Sequence, residues 1–410
     1  MNSVDSSINI IGYVKKTDSI QIPPNFHLDL WQDGPLNRWA FQHVSDFLTT
    51  QDICAKEDHH SNTNLTINVS DKSVNLLESL DINVDGKIFN FTKILDETYT
   101  DSIVILHNGN IIYERYFNDM KIDSKHLLQS VSKSILGVLY ARMIDKGIID
   151  PEQCIGYYLP ELETSVFGNA TITQALDMKV ALNFSEDYIS PISEMNMLDR
   201  ACGWKTNPSG IYQTLRSFLS SLTARVSNET KNQVIHGSEF QYCSAITDVL
   251  AWLISHVTGE SYSNLLEKEL WKPIGAQQNA HITVDSEGFA VGNGGISCTT
   301  RDMALFGQLI LNGGKASNGM QVIPLSWIKQ TYNGNQYKNH WWVNPNPKQL
   351  GSNEIHARGI YGQYLWIDQE SNIVIAKFSS NPIARNTSKF NMHMALFRSI
   401  CIWAKNKDDS

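Results

Sequence analysis

A serine and a lysine one helical turn apart could form the reactive pair of a hydrolase. In Ser130-Val131-Ser132-Lys133, both outer side chains fall on one face of a helix, so the lysine amine can remove the serine proton. A lysine acts as a base when burial and nearby positive groups lower its pKa. Ser130 also falls in the first turn of its predicted helix, where the helix dipole favours negative charge. We therefore predict that Ser130 is the nucleophile and that Lys133 activates it.

The spacing alone is a weak signal, because the chain contains it twice. The second copy, Ser326-Trp327-Ile328-Lys329, follows Pro324 and opens a short segment that ends near Tyr332. Its serine is better explained as a helix-start residue. The first copy begins a long apolar helix, predicted over about 127–146, and a buried helix can desolvate the lysine. The helix context therefore favours Ser130.

The elements around this helix follow a simple order of strands, helices, strands and a last helix. Residues 102–117 are predicted to form a β-hairpin with Asn108-Gly109 at its turn, and residues 361–368 and 372–380 form a second one. Strands at both ends of a domain predict one sheet built from both ends, with a helical domain inserted between them. The spacing of apolar residues predicts helices over 171–180, 245–257 (closed by Gly259), 262–271 (closed by Pro273), 301–314 and about 387–404.

These elements divide the chain into three parts. Residues 96–149 and 275–410 are predicted to form a discontinuous α/β domain, and residues 150–274 a mostly helical domain inserted into it. Residues 1–95 form an N-terminal extension that packs on the α/β domain. The fold class is α+β, an antiparallel sheet with flanking helices plus an inserted helical domain, with the site in the cleft between the two.

Composition excludes several classes of function. The chain has 410 residues, 42% of them hydrophobic and 18% charged, which is ordinary for a globular protein. The net charge is −9 without a basic run, so we expect no nucleic-acid partner. No stretch approaches the roughly 20 apolar residues of a membrane span, and no signal-peptide pattern opens the chain. The expected location is the cytoplasm, with no membrane partner.

The six cysteines are scattered, with no C-x-x-C pair and no spacing typical of metal ligands. Reduced thiols in a cytoplasmic protein are the favoured interpretation. The adjacent His59 and His60 have no third ligand at a suitable spacing, so a solvated loop is expected there. Gly292, Gly294 and Gly295 are too irregular for a phosphate-binding loop and predict a turn. We therefore expect no metal and no cofactor.

Two further motifs carry a family resemblance. Tyr242-Cys243-Ser244 stands just before a predicted helix, and His356-Ala357-Arg358-Gly359-Ile360-Tyr361-Gly362-Gln363 lies near the C-terminus. Together with Ser130-Val131-Ser132-Lys133, they make the chain resemble the serine β-lactamase-related hydrolases of the class C and D-alanyl-D-alanine peptidase type. That family carries Ser-x-x-Lys, then Tyr-x-Asn or Tyr-x-Ser, then a third motif on a late strand. The resemblance implies a β-lactamase/transpeptidase-like fold.

Within this family, the chain most resembles the 6-aminohexanoate-dimer hydrolase group, and the resemblance spans most of its length. It implies a serine hydrolase that cleaves linear amide or ester bonds of small substrates through an acyl-enzyme on Ser130. The partner would be a small-molecule amide or ester. The segments that carry the resemblance are NRWAFQHV, LLQSVSKSILG, TITQALDM, FSEDY, FQYCSAITDVL, GNGGISCTTRDMALFGQL and GIYGQYLWID.

The resemblance also implies roles for individual residues. Lys133 and Tyr242 would share the proton transfers, and Tyr188 would assist the leaving amine. The oxyanion hole would consist of the backbone N–H groups of Ser130 and Ile360. Such a hole contributes on the order of 3–4 kcal/mol per donor.

Two more residues are predicted to contact the substrate, namely Ser244 in the tyrosine motif and His356 at the start of the late motif. Glu186 and Asp187, beside Tyr188, are expected to be loop carboxylates of the cleft.

The chain departs from the penicillin-recognising members of the family. It has no Lys-Thr-Gly on the late strand, and Lys205-Thr206-Asn207 lies in a loop before Pro208. Tyr242-Cys243-Ser244 also lacks the asparagine of the β-lactamases. Both departures argue against a periplasmic cell-wall enzyme, and the missing Lys-Thr-Gly points away from β-lactams and toward amides and esters. A carboxylesterase or a β-lactamase/DD-peptidase-like enzyme stays open as an alternative, as does a catalytically inactive binding protein, and the sequence does not decide whether the chain forms a homodimer.

Overall fold

The fold centres on an eight-stranded sheet with helices on both faces. A computed structural model describes residues 22–55, 65–211, 214–227, 229–346 and 353–408 of the chain. The strands are β1 Thr50–Ile53, β2 Thr66–Ile67, β3 Asp81–Val84, β4 Lys87–Asn90, β5 Thr100–His107, β6 Asn110–Tyr116, β7 His126–Leu127, β8 Ala280–Thr283, β9 Ile296–Cys298, β10 Tyr337–Lys338, β11 Trp341–Val343, β12 Glu354–Gly359, β13 Gln363–Asp368 and β14 Ile373–Ser379.

The helices vary widely in length, and three short stretches have 3₁₀ or π geometry. The helices are α1 Asn37–Ala40, α2 Val44–Phe47, α3 Asp71–Glu78, α4 Phe91–Glu97, α5 Val131–Asp145, α6 Ile155–Tyr158, α7 Ile172–Leu176, α8 Glu194–Ala201, α9 Leu215–Ser221, α10 Ser244–Thr258, α11 Tyr262–Leu266, α12 Lys272–Ile274, α13 Thr300–Leu311, α14 Leu325–Tyr332 and α15 Thr387–Asp408. The stretches Pro160–Leu162 and Ile360–Gly362 are 3₁₀ turns, and Glu267–Trp271 is a π turn.

The main sheet joins the two ends of the chain, as predicted. Its strand order is β10-β11-β12-β13-β14-β5-β6-β2, and all neighbours are antiparallel except β2 and β6. Central strand β5 pairs with β14, with Ile105 opposite Ile375. Asn108 and Gly109 both have positive φ at the β5–β6 turn, which explains why this dipeptide closes the hairpin.

The two faces of this sheet pack against different helices. Val104 and Val374 face the core that contains α5 and α13, whereas Ile103 and Ile375 face the core that contains α4 and α15. Because successive side chains alternate between faces, a strand covered on both sides is apolar throughout. Gly307 in α13 lets that helix approach closely, since a Cβ there would lie 2.5 Å from Val374 Cγ1.

Helix α5 begins later than predicted. His126 and Leu127 pair with β9, so the helix starts at Val131, with Ser130 at its N-cap position. The helix ends at Asp145, and Gly147 follows with a φ of +68°. Most of its residues are buried, which agrees with its apolar sequence.

A second sheet has the order β1-β8-β9-β7 and was not predicted. It pairs Thr50, from the N-terminal segment, with Thr283. Its strands have two to four residues each, too short for an alternating pattern to stand out. Asn37, also from the N-terminal segment, donates through Nδ2 to the Asn381 carbonyl, just after β14, at 2.6 Å.

Some predicted boundaries were wrong. Gly275, with a φ of +77°, ends the segment predicted over 262–271, whereas Pro273 lies inside α12. Proline is tolerated there because the first helical turn needs no N–H donor. Residues 361–368 do not form one strand, since Tyr361 has a φ of +63° and β13 starts at Gln363. The helix predicted over 171–180 is only α7, Ile172–Leu176.

The described part of residues 150–274 contains helices α6 to α12 and only isolated β-bridges. The division of the chain into three parts stays a prediction. No helix in the described ranges combines the length and apolar character needed to cross a membrane.

Candidate active site

Ser130 and Lys133 meet at the start of α5. Lys133 Nζ donates a hydrogen bond of 2.9 Å to Ser130 Oγ. The lysine is only 1% exposed, whereas Ser130 is partly exposed. The i to i+3 spacing on one helix face produces this contact, and burial of the helix removes water from the amine. The predicted pair is therefore within proton-transfer distance, and its serine remains accessible.

Two more groups hold the lysine amine in place. Lys133 Nζ donates to the Asn293 carbonyl at 2.7 Å and lies 5.3 Å from the centre of the Tyr242 ring. Within the described ranges, no carboxylate lies at ion-pair distance from this lysine. The amine is thus aimed at the serine without being fixed in a salt bridge.

The Asn293 carbonyl is positioned by the glycine-rich turn between β8 and β9. Asn293 donates to Asp248 of α10 through its backbone N–H at 2.9 Å and through Nδ2 at 2.7 Å. Burial raises the pKa of Asp248 to about 7. A Cβ on Gly295 would lie 2.3 Å from Thr283 Oγ1, so only glycine allows the turn to approach so closely. The turn was predicted, but the partners of Asn293 were not.

Tyr242 lies beside this pair, immediately before α10. Its ring stacks on Trp342 at 5.6 Å between centroids and meets the edge of Tyr337 at 6.0 Å. The aromatic packing fixes the ring while the side chain stays partly exposed. Ser130, Lys133 and Tyr242 are therefore together, as their motifs predict.

Tyr188 reaches the same place through Glu186. The Tyr188 hydroxyl donates to Glu186 Oε2 at 2.5 Å, and the Ser244 backbone N–H donates to Glu186 Oε1. Burial raises the pKa of Tyr188 well above its usual value, so the phenol keeps its proton. Glu186 therefore connects the Tyr188 loop to the start of α10. The sequence predicted only that Glu186 lies in the cleft, and it did not predict the hydrogen bonds from Tyr188 and Ser244.

The end of strand β12 passes directly over the nucleophile. A Cβ on Gly359 would come within 3.0 Å of the Ser130 nitrogen and within 2.8 Å of the Leu128 carbonyl oxygen. Glycine at 359 is therefore required by a close approach of two backbones. Ile360 follows directly, and its neighbour Tyr361 is tied to the Ala384 carbonyl at 3.1 Å. Ile360 lines the same cavities as Ser130, and its role in an oxyanion hole stays a prediction.

His356 is not brought to Ser130. Its ring stacks on Trp366 at 5.3 Å, on the face of the sheet that carries the α15 core. Neither ring nitrogen has a hydrogen-bond partner in the described structure, and burial lowers the pKa of His356 well below its usual value. Arg358, two residues further along the strand, does reach a cavity beside the nucleophile.

Two cavities meet at Ser130, and Tyr188 and Ile360 line both. The acidic cavity, of about 270 Å³, is lined by residues that include Asp29, Asp33, Asp199, Lys205 and Ser244. The basic cavity, of about 430 Å³, is lined by residues that include Tyr242, Trp342, Arg358, Arg385, Lys389 and Phe390.

Asp199 is the most enclosed carboxylate of the acidic cavity. It is 6% exposed, and Asp199 Oδ2 lies 3.4 Å from Lys205 Nζ and accepts from Gln32 Nε2 at 3.5 Å. Burial raises its pKa to about 6. No sequence signal distinguished this aspartate, because its burial depends on Gln32 from a distant part of the chain.

The described residues contain no cluster of three or more side chains suited to a metal ion. His59 and His60 lie outside the described residues.

A family model and a related protein each match most of this chain. The family model described as Beta-lactamase matches residues 91–387. A 6-aminohexanoate-dimer hydrolase of Paenarthrobacter ureafaciens is 35% identical over 372 residues, which cover 87% of this chain and 88% of that protein.

Solved structures of other proteins share the fold of this chain, which is β-lactamase/transpeptidase-like. A protein of Bacillus anthracis, described as a candidate 6-aminohexanoate-dimer hydrolase, has a TM-score of 0.83 and 27% identity, covering 95% of this chain and 99% of that one. EstCE1, described as a hydrolase with promiscuous acyltransferase activity, has a TM-score of 0.58 and 14% identity, covering 75% of this chain and 98% of that one.

Proposed function

The chain belongs to the β-lactamase family of serine hydrolases, and from this premise we propose that it cleaves linear amide or ester bonds of small substrates through an acyl-enzyme on Ser130. The observation that carries the proposal is the 2.9 Å hydrogen bond between buried Lys133 Nζ and accessible Ser130 Oγ. An amine at that distance is placed to take the hydroxyl proton as the oxygen attacks a carbonyl carbon.

The first half-reaction forms the acyl-enzyme. As Ser130 Oγ bonds to the carbonyl carbon, its proton passes to Lys133 Nζ, and the carbonyl oxygen becomes an oxyanion. The backbone N–H groups of Ser130 and Ile360 are proposed to stabilise that charge. Lys133 and Tyr242 then relay a proton to the leaving nitrogen or oxygen, and its bond to carbon breaks.

The second half-reaction reverses these roles. Water attacks the ester carbon and loses its proton toward Tyr242 and Lys133, and Ser130 Oγ recovers a proton as the acid leaves. We assign Tyr188 to the leaving amine, because its phenol is protonated and its side chain lines both cavities that meet at Ser130. Ser244 is assigned to substrate contact in the acidic cavity.

We propose that the substrates are small linear amides. The relative from Paenarthrobacter ureafaciens is named for an amide dimer, and the absence of Lys-Thr-Gly on the late strand argues against β-lactams. We also propose a cytoplasmic location, which is supported by the six free cysteines in the described structure. The net charge of −9 supports a small-molecule partner rather than nucleic acid.

A carboxylesterase is the second candidate, because Lys133 and Tyr242 can protonate a leaving oxygen as readily as a leaving nitrogen. A substrate panel of linear amides, p-nitrophenyl esters and a cephalosporin tests both assignments. We expect wild type to turn over amides or esters with a burst of product and Ser130→Ala to lose that turnover. Preference for the cephalosporin, or equal turnover by Ser130→Ala, would contradict the proposal.

A further inference from the structure

The 3₁₀ turn Ile360–Gly362, between β12 and β13, has an unusual backbone. Tyr361 has a φ of +63° and Gly362 one of +96°, so two consecutive residues lie in the left-handed region. Tyrosine rarely adopts this conformation, and it persists only where the surrounding structure holds it. Because Ile360 is the proposed second oxyanion donor, the groups that hold this turn also decide where its N–H points.

Two residues of the neighbouring strands hold the turn from behind. Gln363 Nε2 donates to the Ser379 carbonyl at 2.5 Å, and the Ser379 N–H donates to Gln363 Oε1 at 3.1 Å. Gln363 Nε2 also donates to the Ile360 carbonyl at 3.5 Å. A Cβ on Gly362 would lie 2.9 Å from Ser379 Cβ and 3.3 Å from its Oγ. The Ser379 side chain therefore packs directly against the turn.

Lys377 fixes the orientation of that serine side chain. Its Nζ donates to Ser379 Oγ at 2.6 Å and to His393 Nε2 at 3.1 Å. Burial lowers the pKa of His393 well below its usual value, so the ring is neutral. His393 Nδ1 lies 2.7 Å from the Lys389 carbonyl, which can only accept, so Nδ1 carries the proton and Nε2 is the acceptor for the lysine. The amine is thus held between two fixed acceptors.

The burial of Lys377 argues against a purely structural role. The side chain is fully buried, and within the described ranges no carboxylate lies at ion-pair distance from it. Burial lowers its pKa from 10.5 to about 7, although Asp101 acts in the opposite direction. The unfolded chain therefore binds this proton more tightly, so the charge lowers the free energy of unfolding fully below about pH 7 and not at all above about pH 10.5.

We propose that Lys377 is a positioning residue for the reaction, which acts through Ser379 to hold the Ile360–Gly362 turn with the Ile360 N–H aimed at the oxyanion. The inference rests on the proposed function, because it takes the role of Ile360 from it. Lys377 is absent from the described lining of both cavities at Ser130, so it acts without contacting the substrate. It belongs to none of the three sequence motifs.

A pair of substrates that differ in one atom reports on the oxyanion hole. The pair is p-nitrophenyl hexanoate and its thionoester, in which sulfur replaces the carbonyl oxygen. Sulfur is a weaker hydrogen-bond acceptor than oxygen, so well-aimed N–H donors stabilise the oxygen ester more in the transition state. We expect wild type to favour the oxygen ester by on the order of 10- to 100-fold in kcat/KM.

Removal of the lysine amine should reduce this preference. Lys377→Met keeps most of the volume, and we expect its oxygen-to-sulfur ratio to fall by about 3- to 10-fold, with the change in kcat rather than in KM. Ser379→Ala should lower the ratio as well, and the double variant should fall no further, because both changes break one connection. Lys405→Met, at an ion pair with Glu370 on the surface of α15, is the control and should keep the wild-type ratio.

The ratio is measured within each variant, so loss of folded protein does not imitate the expected result. An unchanged ratio in Lys377→Met, beside an active wild type that favours the oxygen ester, would overturn the inference and leave the proposed function intact. Independent, additive losses in Lys377→Met and Ser379→Ala would also overturn it. Absence of turnover of the oxygen ester by wild type would instead contradict the proposed function, and with it the inference.

Discussion

The chain contains the same Ser-x-x-Lys spacing in two places, and their surroundings differ in almost every respect. Ser130 and Lys133 begin a buried helix and are joined by a 2.9 Å hydrogen bond. Ser326 and Lys329 lie on the exposed face of α14, and no hydrogen bond joins them in the described structure. The spacing puts both pairs on one helix face, but burial and neighbours are present at only one. Reactivity therefore depends on the environment of the motif.

The neighbours show what the second copy lacks. At the first copy, the Asn293 carbonyl and the Tyr242 ring hold the lysine, and the backbone of β12 passes over the serine. At the second copy, the helix starts after Pro324, and both side chains are exposed. Each substitution at Ser130 or Lys133 can therefore be matched by the same substitution at Ser326 or Lys329.

The largest expected effect separates the two serines. Ser130→Ala should lower kcat/KM for the linear amide by about 10³-fold or more, because it removes the atom that forms the acyl-enzyme. Ser326→Ala should match wild type. Steady-state kinetics of both variants check this, and comparable losses in the two would remove the distinction between the copies.

Substitution of the two lysines should change kcat/KM by factors that differ slightly less than those for the two serines. Lys133→Met keeps most of the volume but removes the base, and we expect a loss of about 10²- to 10⁴-fold in kcat/KM. Lys329→Met, on the surface, should leave kcat/KM as it is. Melting temperatures of both variants serve as the control for folding. Retention of full activity in Lys133→Met would show that another group takes the serine proton.

Tyr242 should contribute less than the pair itself. Tyr242→Phe keeps the ring stacked on Trp342 and removes only the hydroxyl, so we expect kcat for the amide to fall by about 10- to 100-fold. The loss should be smaller for p-nitrophenyl esters, whose leaving group needs no proton. Tyr337→Phe, which packs on the same ring, is the control. Equal losses on both substrate types would contradict the role in protonating the leaving group.

The last comparison concerns stability and pH and involves no change in turnover. Burial raises the pKa of Asp248 from 3.8 to about 7. The folded chain therefore binds this proton more tightly than the unfolded chain, so the contribution to stability is present below about pH 4 and is lost as the pH rises through about 7. Asp248→Asn does not titrate there. The free energy of unfolding of the variant minus that of wild type should rise over this range, on the order of a few kcal/mol.

Denaturant unfolding at several pH values gives the free energy of unfolding of each variant. For the reference variant Ser326→Ala, the difference from wild type should not change with pH. A difference for Asp248→Asn that is constant with pH would show that the carboxyl titrates alike in both states. The expected result would mean that the Asp248 carboxylate, which binds the Asn293 turn, lowers the free energy of unfolding at neutral pH. The second Ser-x-x-Lys copy has no such effect on stability.

Local features of this fold were predictable from sequence. The β5–β6 turn follows from Asn108 and Gly109, and the end of α10 follows from Gly259, because both depend on the φ that those residues tolerate. The sheet of β1, β8, β9 and β7 was missed, since its short strands form only after distant segments meet. The boundary near Pro273 was wrong because proline fits the first turn of α12, and the boundary near Tyr361 was wrong because its positive φ delays the start of β13.

The candidate site also contains some features that the sequence predicts and others that it does not. Ser130 and Lys133 share one helix, so their contact follows from spacing, and Tyr242 follows from its motif. The bridges from Asp248 to Asn293 and from Glu186 to Ser244 join residues far apart in the chain. No local pattern marks such partners. His356 and Arg358 lie on the same face of β12, so it is the position along the strand that brings Arg358, and not His356, to a cavity at Ser130.

Covalent labelling with a fluorophosphonate, read by intact mass, tests the central claim most directly. The probe reacts with an activated serine, so wild type and Ser326→Ala should each gain the mass of one adduct per chain, and Ser130→Ala should gain none. An adduct on Ser130→Ala, or none on folded wild type, would contradict the assignment of Ser130 as the nucleophile.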